Sequence, residues 1–196
     1  IKIKKGNPLR SLDISLSKGN ILNVVKFKLL IPETRYNSNE ILGSLILNEL
    51  GFISPETFQV FTKVNGITNL MLFQEKAEKE LLERNFKREG PIFEGDESLI
   101  WGYKDYDLFE LADVSLSKMI NEKWFTKGKN SQKITLNSFQ KLQESYLDHI
   151  EFYSNTNTVI YPNSNKDQIF TNYHLLIEAM NGRHALALHN RKFYYN

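Results

Sequence analysis

The sequence predicts an α+β fold in which a β-rich part, residues 1–75, precedes an α-rich part, residues 76–196. Short alternating apolar segments dominate the first third of the chain. An Asn65-Gly66 pair, a strong hairpin signal, joins two runs of β-branched and aromatic residues. After Glu75 the apolar residues recur at helical spacing. A chain of 196 residues, 41% hydrophobic and 24% charged, suits one moderate domain or two small lobes that share a cleft.

The first part contains strand signals around one helix signal. Leu12, Ile14 and Leu16 alternate with polar residues, which is typical of a half-buried strand. A helix is predicted over 38–50, where Ile41 and Leu45 lie one turn apart on an apolar face. The predicted strands are 1–4, 12–16, 21–31, 57–64 and 67–73.

The second part is predicted to be mostly helical. A charged helix over 75–85 would direct Leu81 and Leu82 inward, and Gly90, Pro91 and Gly95 indicate a loop over 88–97. The lysine-rich stretch 127–133 is predicted to be a solvated loop, and 154–166 is polar and interrupts structure. Further helices are predicted over 108–121, 136–153 and 168–180, with a short strand over 191–195.

Composition excludes several classes of function. The chain has no cysteine, so disulfides, thiolate metal sites and cysteine nucleophiles are excluded. A net charge of +2 gives no support for nucleic-acid binding, and no apolar run is long enough to span a membrane. No H-E-x-x-H, G-x-S-x-G or Walker A motif occurs. Because the chain begins at Ile1 and ends at Asn196, we expect a fragment truncated at both ends. A cytoplasmic location and a cell-envelope location both stay open.

Two lysines and a glutamate form the most specific chemical pattern. Lys26 and Lys28 share one face of the strand over 21–31, because side chains alternate along a strand. A strand lysine can hold nucleotide phosphates when a glutamate on the next helix positions it, and Glu40 is the candidate. Two alternatives stay open: the lysines form a solvated face, or Glu40 completes a capping box with Asn37.

A family resemblance rests on seven stretches, of which the Arg-Glu-Gly-Pro-Ile run is the most specific. These are Val25-Lys26-Phe27-Lys28-Leu29, Asn39-Glu40, Val64-Asn65-Gly66, Phe73-Gln74-Glu75-Lys76, Lys79-Glu80-Leu81-Leu82-Glu83, Arg88-Glu89-Gly90-Pro91-Ile92 and His189-Asn190-Arg191-Lys192-Phe193-Tyr194-Tyr195. On these residues the chain resembles the bacterial spore coat protein H kinases (CotH-like), which are atypical protein kinases. The resemblance implies a two-lobed protein-kinase-like fold, ATP, Mg or Mn, and phosphate transfer to serine or threonine of a protein substrate.

The resemblance also implies roles for individual residues, with the site in a crevice between the lobes. Lys28 or Lys26 would contact the phosphates, paired with Glu40. Gln74, Glu75 and Lys76 would form the linker beside the adenine. Asn190 would be a metal ligand that closes the catalytic loop and precedes a short aromatic strand. The second metal ligand, an aspartate, would follow Asn196.

The chain departs from a typical kinase at two places. It lacks a G-x-G-x-x-G loop, as does the family that it resembles. The predicted catalytic loop over 182–190 contains no aspartate, and Ala185 stands where a kinase carries a carboxylate. His184, one residue away, is the candidate acceptor of the hydroxyl proton, since an imidazole has an ordinary pKa of about 6.5. The alternative is that His184 and His189 only cap the helix end. A nucleotide-binding pseudokinase and a non-catalytic coat or envelope assembly protein therefore stay open.

Two loop features carry weaker predictions. Glu94, Asp96 and Glu97 form an acidic cluster that would bind a cation or a basic substrate, or would simply be solvated. Arg88 and Glu89 precede Gly90-Pro91 and would form a loop salt bridge, a structural lock, or a phosphate-facing arginine.

Overall fold

The computed structural model describes residues 2–4, 7–36, 38–96, 117–153, 167–186 and 190–196. Over these residues the protein is α+β, as predicted. The chain forms two compact units, Ile1–Glu89 and Gly90–Asn196. The predicted lobes, 1–75 and 76–196, were defined by the change from strand to helix signals, and that division stays a prediction.

The first unit is built on an antiparallel sheet. Its elements are β1 (Lys2–Lys4), β2 (Asn7–Leu9), β3 (Leu12–Ser15), β4 (Lys26–Leu30), α1 (Asn39–Glu49), β5 (Thr57–Val64), β6 (Ile67–Glu75) and α2 (Lys79–Arg84). Strands β1 and β2 pair with each other, and the other strands form a sheet in the order β3-β4-β6-β5. The Asn65-Gly66 turn joins β5 to β6 as predicted, with φ of 51° and 83°.

One face of this sheet carries the apolar core of the first unit. Phe27 and Leu29 of β4 are buried there with Met71 and Phe73 of β6. The ring of Phe73 stacks on the rings of Phe27 and Phe58, each with centroids 4.7 Å apart. Because strand residues alternate between faces, Lys26, Lys28 and Gln74 lie on the opposite face.

Two predictions in the first unit are wrong. The strand predicted over 21–31 covers only Lys26–Leu30, because Leu22 and Asn23 adopt left-handed conformations in a tight turn bridged by Ile21 and Val24. The helix predicted over 75–85 covers only Lys79–Arg84, since cross-strand pairing with Phe27 keeps Glu75 in β6. Leu81 and Leu82 are buried, as predicted.

The second unit combines a small antiparallel sheet with helices. Its described elements are β7 (Ile92–Gly95), β8 (Ser117–Met119), α3 (Glu122–Phe125), α4 (Lys129–Tyr153), α5 (Asp167–Ala179), a 3₁₀ turn (Arg183–Leu186) and β9 (Lys192–Tyr194). The strand order is β8-β7-β9. Phe93 of β7 and Leu142 of α4 form the buried centre, and Met119, Phe139 and Phe193 pack around them.

The second unit confirms some predictions and corrects others. The helix over 168–180 and the strand over 191–195 are present within one residue at each end. The loop predicted over 88–97 is wrong because Ile92–Gly95 pairs with two strands that are distant in sequence. Residues Ser117–Met119 are a strand rather than the end of a helix, and the rest of the predicted helix 108–121 lies mainly outside the described residues. Helix α4 begins at Lys129, so the loop predicted over 127–133 is wrong, and the predicted polar break over 154–166 lies outside the described residues.

Phe86 ends helix α2 in an unfavourable conformation. Its φ is 54°, its side chain is 98% exposed, and the amides of Phe86 and Lys87 bond to the carbonyls of Glu83 and Leu82. Glycine normally occupies this left-handed position, because a Cβ there costs about 1 to 2 kcal/mol. We expect Phe86→Gly to raise the free energy of unfolding by about 1 kcal/mol in denaturant titrations. Phe86→Ala removes the ring but keeps the Cβ, so an equal gain in that control would contradict the explanation.

Candidate functional site

The sheet face opposite the Phe73 core carries the buried Leu30–Leu72 pair, and next to it Lys28 and Gln74 lie side by side. Lys28 of β4 lies directly opposite Gln74 of β6, and Gln74 lies opposite Thr57 of β5. Residues directly opposite in an antiparallel pair point to the same face, with Cβ atoms about 5 Å apart. This face is the one turned away from the aromatic core around Phe73.

Helix α1 places Glu40 on this same face of the sheet. The Gln74 Nε2 group donates a hydrogen bond of 3.1 Å to Glu40 Oε1. Gln74 therefore contacts Glu40 on one side and adjoins Lys28 on the other. Gln74 is thus a neighbour of both members of the predicted pair, Lys28 and Glu40. From the sequence, Gln74 was predicted only as part of the adenine linker.

Two short contacts hold α1 against this part of the sheet. The hydroxyl groups of Ser44 and Thr57 are 3.1 Å apart, and Ser54 Oγ donates to the Ser44 carbonyl at 2.6 Å. The N-cap residue of α1 is Ser38, which makes no side-chain capping bond. Glu40 is therefore at the second helical position, and Asn37, its partner in the capping-box alternative, lies outside the described residues.

Lys26 forms an ion pair with Glu78, a partner that the sequence analysis missed. The Lys26 ammonium donates to Glu78 Oε1, and the two side chains are 25% and 10% exposed. Glu78 is the N-cap residue of α2, and its position just after β6 was the signal that could have indicated it. Lys76 pairs with Asp13 of β3 at 2.9 Å. The two lysines of β4 therefore have different surroundings, and it is Lys28 that adjoins the Gln74–Glu40 pair.

Glu75 is a buried carboxylate at the end of β6. Its Oε2 atom forms an ion pair with Arg84 and accepts a 3.2 Å hydrogen bond from the Glu56 amide. Its Oε1 atom is buried and has no hydrogen-bond partner among the described residues. Burial raises the pKa of Glu75, while Arg84 lowers it by hydrogen bonding and charge. The side chain thus ties β6 to α2.

The predicted adenine linker lies at the junction of β6 with the following segment. Gln74 and Glu75 are the last residues of β6, and Lys76 is the first residue beyond it. The Glu75 amide bonds to the Glu56 carbonyl at 3.0 Å, and the Lys76 amide bonds to the Lys26 carbonyl at 3.1 Å. Both backbone donors are engaged within the first unit. The role of these residues beside adenine stays a prediction.

The second unit contains the predicted catalytic-loop residues. Asn190 is half-buried and lies two residues before β9, so the predicted aromatic strand does follow it. The Arg191 guanidinium lies 3.3 Å from Nε2 of His174 on α5. His184 lies in the 3₁₀ turn Arg183–Leu186, but its side chain and the whole of His189 lie outside the described residues.

The acidic cluster is neutralised by lysines on neighbouring strands. Glu94 lies opposite Lys118 and Lys192 in the sheet, with Nζ to carboxylate distances of 3.6 Å and 3.0 Å. Asp96 also pairs with Lys118 at 3.6 Å, and Glu97 lies outside the described residues. Glu94 belongs to a strand with charged partners, which argues against the predicted cation-binding or solvated loop. Within the described ranges, no group of three His, Asp or Glu side chains is placed to hold a metal ion.

Comparison of the chain with protein-family models, curated proteins and solved structures finds no match. Among the described helices, none is both long enough and apolar enough to cross a membrane.

Proposed function

We propose that this protein is an atypical kinase that transfers the γ-phosphate of ATP to a serine or threonine hydroxyl of a protein substrate. The observation that carries this proposal is the arrangement of Lys28, Gln74 and Glu40 on one face of the sheet. A strand, a helix and a hairpin follow one another in the chain and contribute one residue each. This order supports a protein-kinase-like, two-lobed fold, in which a strand lysine and a helix glutamate position the phosphates.

Lys28 is the proposed phosphate ligand because of its charge and its neighbours. Its ammonium group provides positive charge on the residue opposite Gln74, and the Gln74 amide donates to the Glu40 carboxylate. Phosphate transfer depends mainly on positioning and on neutralising negative charge. Lys26 is the second candidate ligand, and it would have to exchange Glu78 for a phosphate oxygen.

The other proposed roles complete the reaction. Gln74, Glu75 and Lys76 would border the adenine, and Asn190 would be one ligand of a Mg or Mn ion that supplies positive charge to the phosphates. His184 accepts the proton of the attacking hydroxyl, whose oxygen forms a bond to the γ-phosphorus while the bond to the β-phosphate oxygen breaks and ADP leaves. What supports Asn190 is its place two residues before a short aromatic strand.

A nucleotide-binding pseudokinase is the second candidate. Ala185 lies in the 3₁₀ turn Arg183–Leu186, and under the resemblance it would stand where a kinase carries its catalytic carboxylate. An alanine cannot accept a proton, so turnover depends on His184 in the kinase proposal. The two candidates share ATP binding and differ only in phosphate transfer.

Two assays on the purified protein separate these candidates. With Mg or Mn present, ATP is expected to raise the melting temperature, because a ligand that binds only the folded state stabilises it. We then expect the label of γ-³²P-ATP to appear on the protein itself or on added casein. In the His184→Ala variant we expect this labelling to be lost. Stabilisation without transfer would establish the pseudokinase. Absence of any ATP-dependent stabilisation would contradict both candidates.

A further inference from the structure

Asn121 holds the beginning of β7 with both ends of its amide. The side chain is 2% exposed. Its Oδ1 atom accepts a hydrogen bond from the Ile92 amide, and its Nδ2 group donates to the Gly90 carbonyl, both at 2.8 Å. The next contact is made by the backbone, where the Ile120 amide donates to the Ile92 carbonyl at 2.9 Å. One buried amide thus satisfies a donor and an acceptor in the segment Gly90-Pro91-Ile92.

The same segment fits closely against the end of β9. A Cβ atom on Gly90 would lie 2.5 Å from the Tyr195 carbonyl oxygen and 3.0 Å from the Tyr194 ring. The Tyr195 amide donates to the Pro91 carbonyl at 3.2 Å. The close approach explains why glycine stands at position 90. We call Gly90, Pro91, Ile92, Asn121 and Tyr195 the Asn121 clamp.

The clamp borders the strand that follows Asn190 through the Tyr195 amide, which donates to the Pro91 carbonyl. Strand β9 has three residues and pairs Tyr194 with Ile92 and Phe193 with Phe93. Its first residue, Lys192, lies two positions after Asn190 and is ion-paired with Glu94. A strand this short forms few hydrogen bonds with its neighbour. The contacts at its end therefore contribute much to fixing its register against β7.

We propose that Asn121 is a positioning residue, which sets the register of β9 on β7 and thereby the place of Asn190. The metal-binding part of this inference rests on the proposed function, since Asn190 is the proposed metal ligand there. Removing the Asn121 amide leaves a buried N–H and a buried carbonyl without partners, which favours opening of the clamp. Gly90→Ala perturbs the same clamp sterically and removes no polar group.

Amide exchange tests the structural part of the proposal. Asn121→Ala and Gly90→Ala are compared with Leu142→Ala, which weakens the apolar core of the same unit without removing a clamp contact. We expect the clamp variants to speed exchange of the Tyr195 amide by about tenfold relative to amides of α4. In Leu142→Ala we expect the exchange rates of the Tyr195 amide and of the α4 amides to change by similar factors. An unchanged Tyr195 amide in both clamp variants would overturn the proposal.

Paramagnetic broadening tests the link to Asn190. With Mn²⁺ and ATP, we expect the Asn190 side-chain amide signal to broaden in the unmodified protein and in Leu142→Ala, but not in the clamp variants. Persistent broadening in the clamp variants would refute the positioning of Asn190 by Asn121. If the unmodified protein shows no broadening, the metal role of Asn190 in the proposed function fails, and the Tyr195 exchange result still decides whether Asn121 sets the β9 register.

Discussion

The Lys28→Ala substitution is expected to raise the Kd for ATP in the presence of Mg by about 10- to 100-fold. A hydrogen bond to a charged group contributes about 1.5 to 3 kcal/mol, and 1.4 kcal/mol corresponds to tenfold in affinity. Lys28 lies beside Gln74, whose amide contacts Glu40, so its removal eliminates the positive charge at the proposed phosphate site. Calorimetric titration with ATP measures the effect.

The control for Lys28 is an exposed lysine on the same face of the same sheet. Lys63 of β5 is six residues along the strand from Thr57, which lies opposite Gln74, so it is roughly 20 Å from that end of the sheet. Lys63→Ala changes the net charge equally and should leave ATP affinity unchanged. Equal losses in the two variants would indicate a general charge effect and contradict the assigned site.

The Arg84→Leu substitution is expected to destabilise the protein by about 2 to 3 kcal/mol at neutral pH. It leaves the Glu75 carboxylate, which is 1% exposed, without its charged partner. Removing one member of a buried ion pair costs about 3 to 5 kcal/mol, and we expect somewhat less here because the Arg84 side chain is 31% exposed. Denaturant unfolding measures the change. Lys79→Leu removes an exposed pair with Glu83 in the same helix and should cost less than about 1 kcal/mol.

The Arg84→Leu effect should also depend on pH. Burial already raises the pKa of Glu75, and Arg84 is the group that opposes this rise. Without Arg84 the folded-state pKa rises further, so the folded protein holds the Glu75 proton more tightly than the unfolded chain does. Stability is then lost as pH increases through that raised pKa, and the destabilisation should be smaller at about pH 5 than at pH 7. Adding Glu75→Gln to Arg84→Leu should abolish this pH dependence. A pH dependence that persists in the double variant would contradict its assignment to the Glu75 carboxyl.

Local signals predicted the elements that form close to one another in sequence. The Asn65-Gly66 turn indicated the β5–β6 hairpin, and apolar spacing indicated α1 and α5 within one residue at each end. The three-stranded sheet was missed because β7 pairs with β9, whose residues come about 100 positions later. Short strands of this kind are specified by tertiary pairing, and their own sequence carries little signal.

The candidate site was predicted in part for the same reason. Alternation along β4 placed Lys26 and Lys28 on one face, and the helix that follows supplied Glu40. The contact of Gln74 with Glu40 and the pairing of Lys26 with Glu78 join residues 34 and 52 positions apart. No local pattern specifies such contacts. Asn121 was not singled out either, because a single asparagine has no periodic signal and its role is visible only from its two backbone partners.

Amide chemical shifts of the ¹⁵N-labelled protein, recorded during a titration with ATP and Mg, locate the nucleotide directly. If Lys28 holds the phosphates, saturable shifts should appear at Lys28, Glu40 and Gln74, with little change at Lys63 on the same face. A titration that produces no saturable shifts, or shifts that leave these three residues unchanged, would contradict the proposed ATP site.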